Sequence, residues 1–187
     1  MEHSKGWRSR AVFKLEEIDR REKLLKRGTI CLDLGASPGS WSQYARRRIG
    51  PAAGRIIATD LVEMEALEGV EFVQGDCRDS WVFEEILALL PQRPVDVVLS
   101  DMAPNMSGVA AIDQPRAMQL SQRALQISAR VLKPGGSALI KVFEGSGFQE
   151  LVSAARGQFG RVRLSKPQSS RTRKPEMYLL AKDFLMV

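Results

Sequence analysis

The run Thr29-Ile30-Cys31-Leu32-Asp33-Leu34-Gly35-Ala36-Ser37-Pro38-Gly39-Ser40-Trp41 decides the fold. A short apolar stretch ends in an acid, breaks at a glycine-bearing turn and restarts with helical spacing. A strand that stops at such a turn and resumes as a helix is how an α/β protein seats a nucleotide-like cofactor. Gly35 and Gly39 are candidate contacts there, because a backbone without Cβ can approach a ligand closely. Three later apolar runs also end in an aspartate, at Asp60, Asp76 and Asp101. A turn with acids at successive strand ends describes a site.

Working outward, the hydrophobic spacing predicts strands over 30–34, 55–59, 70–73, 95–100 and 137–143. Helices are predicted over 40–49, 80–90, 114–132 and 147–158. Val12, Phe13, Leu15, Ile18, Leu24 and Leu25 predict an amphipathic helix from about Ser9 to Leu25. Pro134-Gly135-Gly136 is expected to end the long helix and turn the chain into the fifth strand. Val162-Arg163-Leu164 and Met177 to Ala181 read as a closing pair of strands, joined by a polar, basic connector from Lys166 to Glu176. Without a linker or repeat, residues 1–187 read as one domain. A basic helical segment, 1–28, precedes an α/β core, 29–187.

The chain has 187 residues, of which 44% are hydrophobic and 27% charged, which suits a single globular core. No apolar run approaches the roughly 20 residues of a membrane span. The N-terminus lacks the apolar core of a signal peptide, so a cytoplasmic protein is expected. Cys31 and Cys77, in or beside strands, read as small core residues in a reducing compartment. Charge is unevenly spread. Residues 1–50 carry 12 Lys/Arg against 6 Asp/Glu, residues 51–150 carry 8 against 14, and residues 151–187 carry 8 against 2. If the basic ends converge, they form a positive face suited to phosphate backbones.

Several chemistries are set aside. The sole histidine is His3, so a Ser-His-Asp or Cys-His site is not expected. One His and two distant Cys give no metal pattern. The turn also departs from Gly-x-Gly-x-x-Gly: Ser37 and Ser40 occupy the second and third glycine positions. A turn of this kind suits a cofactor without phosphates. Asp60 stands where an acid accepts hydrogen bonds from ribose hydroxyls, and Asp76 could meet an adenine amino group. Together they favour S-adenosylmethionine over a dinucleotide.

The segments Arg8-Ser9-Arg10-Ala11-Val12-Phe13-Lys14-Leu15, Asp33 to Trp41, Val97 to Gly108 and Ala138-Leu139-Ile140-Lys141-Val142-Phe143 carry a resemblance. In this order they resemble the FtsJ/RrmJ-type ribosomal RNA ribose 2′-O-methyltransferases, from about residue 8 to the C-terminus. The resemblance implies a Rossmann-like, seven-stranded, mostly parallel sheet of order 3-2-1-4-5-7-6. Its last strand is antiparallel and helices cover both faces. It implies a catalytic Lys-Asp-Lys-Glu tetrad at Lys14, Asp101, Lys141 and Glu176. It implies S-adenosylmethionine contacts at Gly39, Trp41, Asp60, Asp76 and Asp101. It also implies a uridine of large-subunit ribosomal RNA as substrate, met within the large subunit, with no membrane and no obligate protein partner. Transfer RNA or an mRNA cap as acceptor, and a non-catalytic RNA-binding assembly factor, are the alternatives.

The tetrad suits the chemistry. A ribose hydroxyl must be held in line with an activated methyl group and lose its proton. With histidine absent, a lysine serves when burial and a second cation disfavour its charged form. Lys141 takes the base role, Lys14 tunes it and helps position the RNA, Asp101 orients it, and Glu176 keeps the hydroxyl or the lysines in register. Arg8, Arg10, Lys166, Arg171, Arg173 and Lys174 are candidate phosphate contacts.

Overall fold

A computed structural model describes residues 6–51, 54–90, 95–170 and 176–186. The elements run α1 (Val12–Glu22), β1 (Ile30–Leu34), α2 (Ser40–Ile49), β2 (Arg55–Asp60), β3 (Glu71–Gln74), α3 (Ser80–Leu89), β4 (Val95–Ser100), α4 (Ala110–Val131), β5 (Leu132–Phe143), α5 (Phe148–Gln158), β6 (Phe159–Ser165) and β7 (Glu176–Phe184). The strands form one sheet of order β3-β2-β1-β4-β5-β7-β6. β7 is antiparallel to both neighbours, β5 and β6, and the remaining pairs are parallel.

Side-chain alternation along each strand assigns the two faces. Cys31, Ile56, Val97, Leu99, Leu139, Tyr178 and Leu180 pack with α1 and α2. Leu32, Leu34, Ile57, Val98, Ile140, Leu179 and Ala181 pack with α3, α4 and α5. Strands covered on both faces read as unbroken apolar runs, which is why the sequence shows them plainly. The helix α1 is part of this core: Val12, Leu15 and Ile18 are buried against the sheet.

Several boundaries differ from expectation, three of them for a visible structural reason. The first helix is shorter than Ser9–Leu25, because Lys23 turns left-handed (φ 52°) and donates its N–H to Asp19 O. The long helix begins at Ala110 rather than 114 and contains Pro115. The Asp113 carboxylate accepts the N–H groups of Ser107 and Gly108, which draws the preceding loop onto this first turn. Pro134-Gly135-Gly136 does not separate helix from strand. The chain enters β5 directly at Leu132, and a register shift between Val95 and Val97 absorbs the extra residues.

In this sheet order β1 stands between β2 and β4, so the crossover from β1 to β2 runs one way and the crossover from β3 to β4 runs the other. A crevice therefore opens beyond the carboxyl ends of β1, β2 and β4, where open α/β sheets bind ligands.

Candidate active site

That crevice holds a cavity of about 240 Å³, lined among others by Gly35, Ser37, Asp60, Asp76 and Asp101. Gly35 (φ 75°) needs its freedom for a protein contact: an added Cβ would stand 2.6 Å from Met102 Cγ. The glycine thus lets the β1 and β4 loops close on each other at the cavity wall.

The acids are held by different partners. Asp60 accepts the N–H of Ser37 at one oxygen and that of Val62 at the other, each at 2.9 Å. This fixes the carboxylate at the cavity wall with lone pairs to spare for hydroxyl donors. Asp76 is bound by Arg78 through both Nε and Nη2. Those hydrogen bonds hold its carboxyl below the usual range. Thr59 lines the same cavity, and its Oγ1 is buried without a hydrogen-bond partner among the described residues. Carboxylate acceptors at the cavity wall fit the hydroxyl and amino groups of a nucleoside.

Asp101 connects the cavity to two ion pairs. Lys141 Nζ lies 2.9 Å from Asp101 Oδ1 and donates to the Asp101 carbonyl at 3.2 Å. Lys14 Nζ lies 2.7 Å from Glu176 Oε1. Lys141 and Glu176 are buried strand residues, two rungs apart on β5 and β7. Lys14 reaches them from α1. Burial pushes the Glu176 carboxyl up, but hydrogen bonds from Lys14 and Ser170, with nearby Lys141, outweigh it and hold the group below the usual range. The four sequence-predicted tetrad residues are therefore together. A hydroxyl placed beside Lys141 faces an amine that can take its proton and an acid that orients that amine.

A comparison with protein families matches residues 7–184 to the FtsJ-like methyltransferase model. The chain is 52% identical over 181 residues to the ribosomal RNA large subunit methyltransferase E of Legionella pneumophila (strain Lens), covering 97% of this chain and 87% of that one. The chain belongs to the FtsJ-like methyltransferase family. The Pseudomonas aeruginosa protein of the same name is 51% identical over 179 residues, covering 96% and 86%. A crystal structure from Plasmodium falciparum, provisionally named a ribosomal RNA methyltransferase, superposes with TM-score 0.86 at 30% identity, covering 96% and 99%. One from Clostridium thermocellum, at 15% identity and TM-score 0.64, shares the fold.

For an FtsJ-like methyltransferase, two expected contacts, Trp41 and Arg8, are engaged within the protein. The Trp41 ring is buried: its Nε1 donates to Ala11 O and it packs on Tyr178, 5.7 Å between centroids. It braces α1 against α2 and does not line the cavity. At Gly39 (φ 108°) an added Cβ would stand 2.8 Å from Arg8 Nη1 and 2.9 Å from Met64 Sδ. Arg8 is not offered to a phosphate, since its guanidinium donates to the carbonyls of Pro38, Glu65 and Ala66. The N-terminal segment is thereby tied to the cofactor turn. Arg10 and Lys166 are exposed, while Arg171, Arg173 and Lys174 lie outside the described residues.

Two functional neighbours escaped the sequence reading. Tyr178 donates its hydroxyl to Asp101 Oδ1 at 2.6 Å, and Ser170 donates to Glu176 Oε1 at 2.7 Å. A tyrosine inside the apolar run Met177 to Ala181 was an available signal, because a buried phenol needs a partner. Ser170, in a polar loop, gave none. Among the described residues no cluster of metal-ligating side chains occurs, and no helix is long and apolar enough to cross a membrane.

Proposed function

We propose that this chain is a cytoplasmic enzyme that methylates the ribose 2′-oxygen of a uridine in large-subunit ribosomal RNA, using S-adenosylmethionine. The observation that carries the reading is Asp101, which lines the cavity and also holds Lys141. The names of the relatives supply the RNA.

When bound, S-adenosylmethionine supplies a methyl group already activated by its sulfonium. Asp60 accepts hydrogen bonds from the ribose hydroxyls and Asp76 from the base amino group. Lys141 takes the proton of the 2′-hydroxyl as its oxygen attacks the methyl group that S-adenosylmethionine would supply. Asp101 and the Tyr178 hydroxyl keep that amine in place. Lys14, held by Glu176, provides positive charge beside the oxygen.

The test is to incubate purified protein with isotope-labelled S-adenosylmethionine and, separately, large ribosomal subunits, free ribosomal RNA, transfer RNA and capped RNA. The methylated fragments are then mapped by mass. A single ribose-methylated uridine in large-subunit RNA is expected. Label in transfer RNA or the cap alone, or label on a base, overturns the reading.

A further inference from the structure

A groove of about 370 Å³ separates α1 from the outer strand β6, and nothing in the mechanism above uses it. Arg21, Glu22, Arg163, Ser165 and Lys166 line it. Its walls come from the two basic ends of the chain, which the fold brings together here.

Periodicity decides which side chains face it. Arg163 pairs with Leu180 and Ser165 with Tyr178, so both lie on the sheet face that packs against α1. On α1, Lys14, Glu17 and Arg21 recur at the spacing of one helix face. Lys14 reaches Glu176. Glu17 accepts the N–H groups of Gln168 and Ser169. Arg21 Nη2 donates to Ser165 Oγ at 2.9 Å. One helix face thus runs from the catalytic ion pair to the groove.

The groove also lies within reach of the reacting ribose. Lys141, Tyr178 and Ser165 share a rung across β5, β7 and β6. Two inter-strand spacings put Ser165 roughly 10 Å from Lys141. That is about three nucleotides at the ~3.4 Å axial repeat of a helical strand.

Charge selects the ligand. Among the described residues the groove holds one carboxylate, Glu22. Burial pushes it up, but Arg21, Lys182 and Arg163 outweigh that and hold it below the usual range, so it stays ionised. It offsets only part of the cations around it. Arg163 and Lys166 are exposed and enter no ion pair among the described residues. Arg8, by contrast, is committed to protein carbonyls.

We propose that the α1–β6 groove is a track for the RNA phosphate backbone a few nucleotides from the methylated ribose. Arg163 and Lys166 are its open phosphate ligands and Arg21 the helix-borne third. The inference rests on the reading that the substrate is RNA. An acidic protein surface would match the charge alone, whereas continuity with the ribose site favours the strand being methylated.

The test measures anisotropy of a fluorescein-labelled ribosomal RNA stem-loop against full-length protein between about 50 and 200 mM salt. Expected for Arg163→Gln/Lys166→Gln is about ten-fold weaker binding at low salt. The log–log salt slope should fall by about 1.4–1.8, two phosphate contacts' worth. Arg163→Lys should restore its share, and S-adenosylmethionine affinity should stay as in wild type. Arg21→Gln provides a second arm, read only if its melting midpoint matches wild type. An unchanged slope and affinity in the double variant overturns the track. Methyl transfer by wild type is assayed in parallel. Groove-dependent binding without transfer to any RNA leaves the track standing and sinks the methyltransferase reading. Transfer with a slope indifferent to the groove does the reverse.

Discussion

Asp101 is bound from three directions: Lys141 at its carboxylate and carbonyl, the Tyr178 hydroxyl at the same carboxylate, and Leu34 O at its N–H. Such multiple tethering holds the lysine amine within the narrow tolerance that its proposed role in proton transfer needs. Lys141→Ala is expected to slow single-turnover methyl transfer by about 10²–10⁴-fold. S-adenosylmethionine affinity by calorimetry should hardly move, since the amine is not among the groups lining the cavity. Asp33 governs a different property. It is fully buried, with Ser42 donating to Oδ2 at 2.6 Å and Oδ1 unpaired among the described residues. Burial first, then the charges of Asp101 and Asp60, push its carboxyl up to about 7, against the Ser42 hydrogen bond. A folded-state value above the unfolded one means the folded protein binds this proton more tightly. Its contribution is therefore present at low pH and is lost as pH rises from about 4 to about 7. Asp33→Asn should flatten the dependence of the melting midpoint on pH between about 4 and about 7. An unaltered slope would show that another group carries it.

At the scale of elements, α1 is placed by a buried acid at its far end. Asp19 accepts the Leu25 N–H, the Tyr44 hydroxyl and Arg48 Nε, tying α1, the turn after it and α2 together. Lys14 rides on the same helix, so the anchor also sets where a side chain of the proposed tetrad can reach. Removing the carboxylate strands two buried donors, each costing about 1–3 kcal/mol. Asp19→Ala should thus lower unfolding free energy by roughly 2–5 kcal/mol in urea titration. A loss within the ~0.5 kcal/mol of an ordinary surface change would refute the anchor. The sequence was least legible at joins of this kind. Lys23, Pro115 and Pro134-Gly135-Gly136 carry the correct local signals, yet an adjacent strand or capping acid decided where each element ended. Strands buried on both faces were readable because their environment is uniformly apolar.

For the whole molecule, the cavity at the sheet's crossover point couples cofactor binding to global stability, because the loops of β1, β2 and β4 all line it. A ligand at 100 times its Kd adds about 2.7 kcal/mol. In a chain of this size that corresponds to a rise of roughly 5–10 °C in melting midpoint. S-adenosylmethionine should give that rise in thermal-shift measurements and NAD should not. An equal response to NAD would count against the sulfonium cofactor.

The sequence by itself determined the α/β order and the residues proposed to carry the chemistry. Asp60, Asp76, Asp101 and Lys141 are polar groups closing apolar runs, and alternation together with turn chemistry is local information. Tertiary structure alone decided the partners. Lys14 meets Glu176 across 162 positions of sequence, Tyr178 finds Asp101 across 77, and Arg21 finds Ser165 across 144. It also took Arg8 and Trp41 from expected ligand contacts and gave them to protein carbonyls, which exist as neighbours only once the chain has folded. The same step turned two basic termini into one groove. Charge along a chain is additive, but an electrostatic surface depends on which charges are brought together and which are already neutralised.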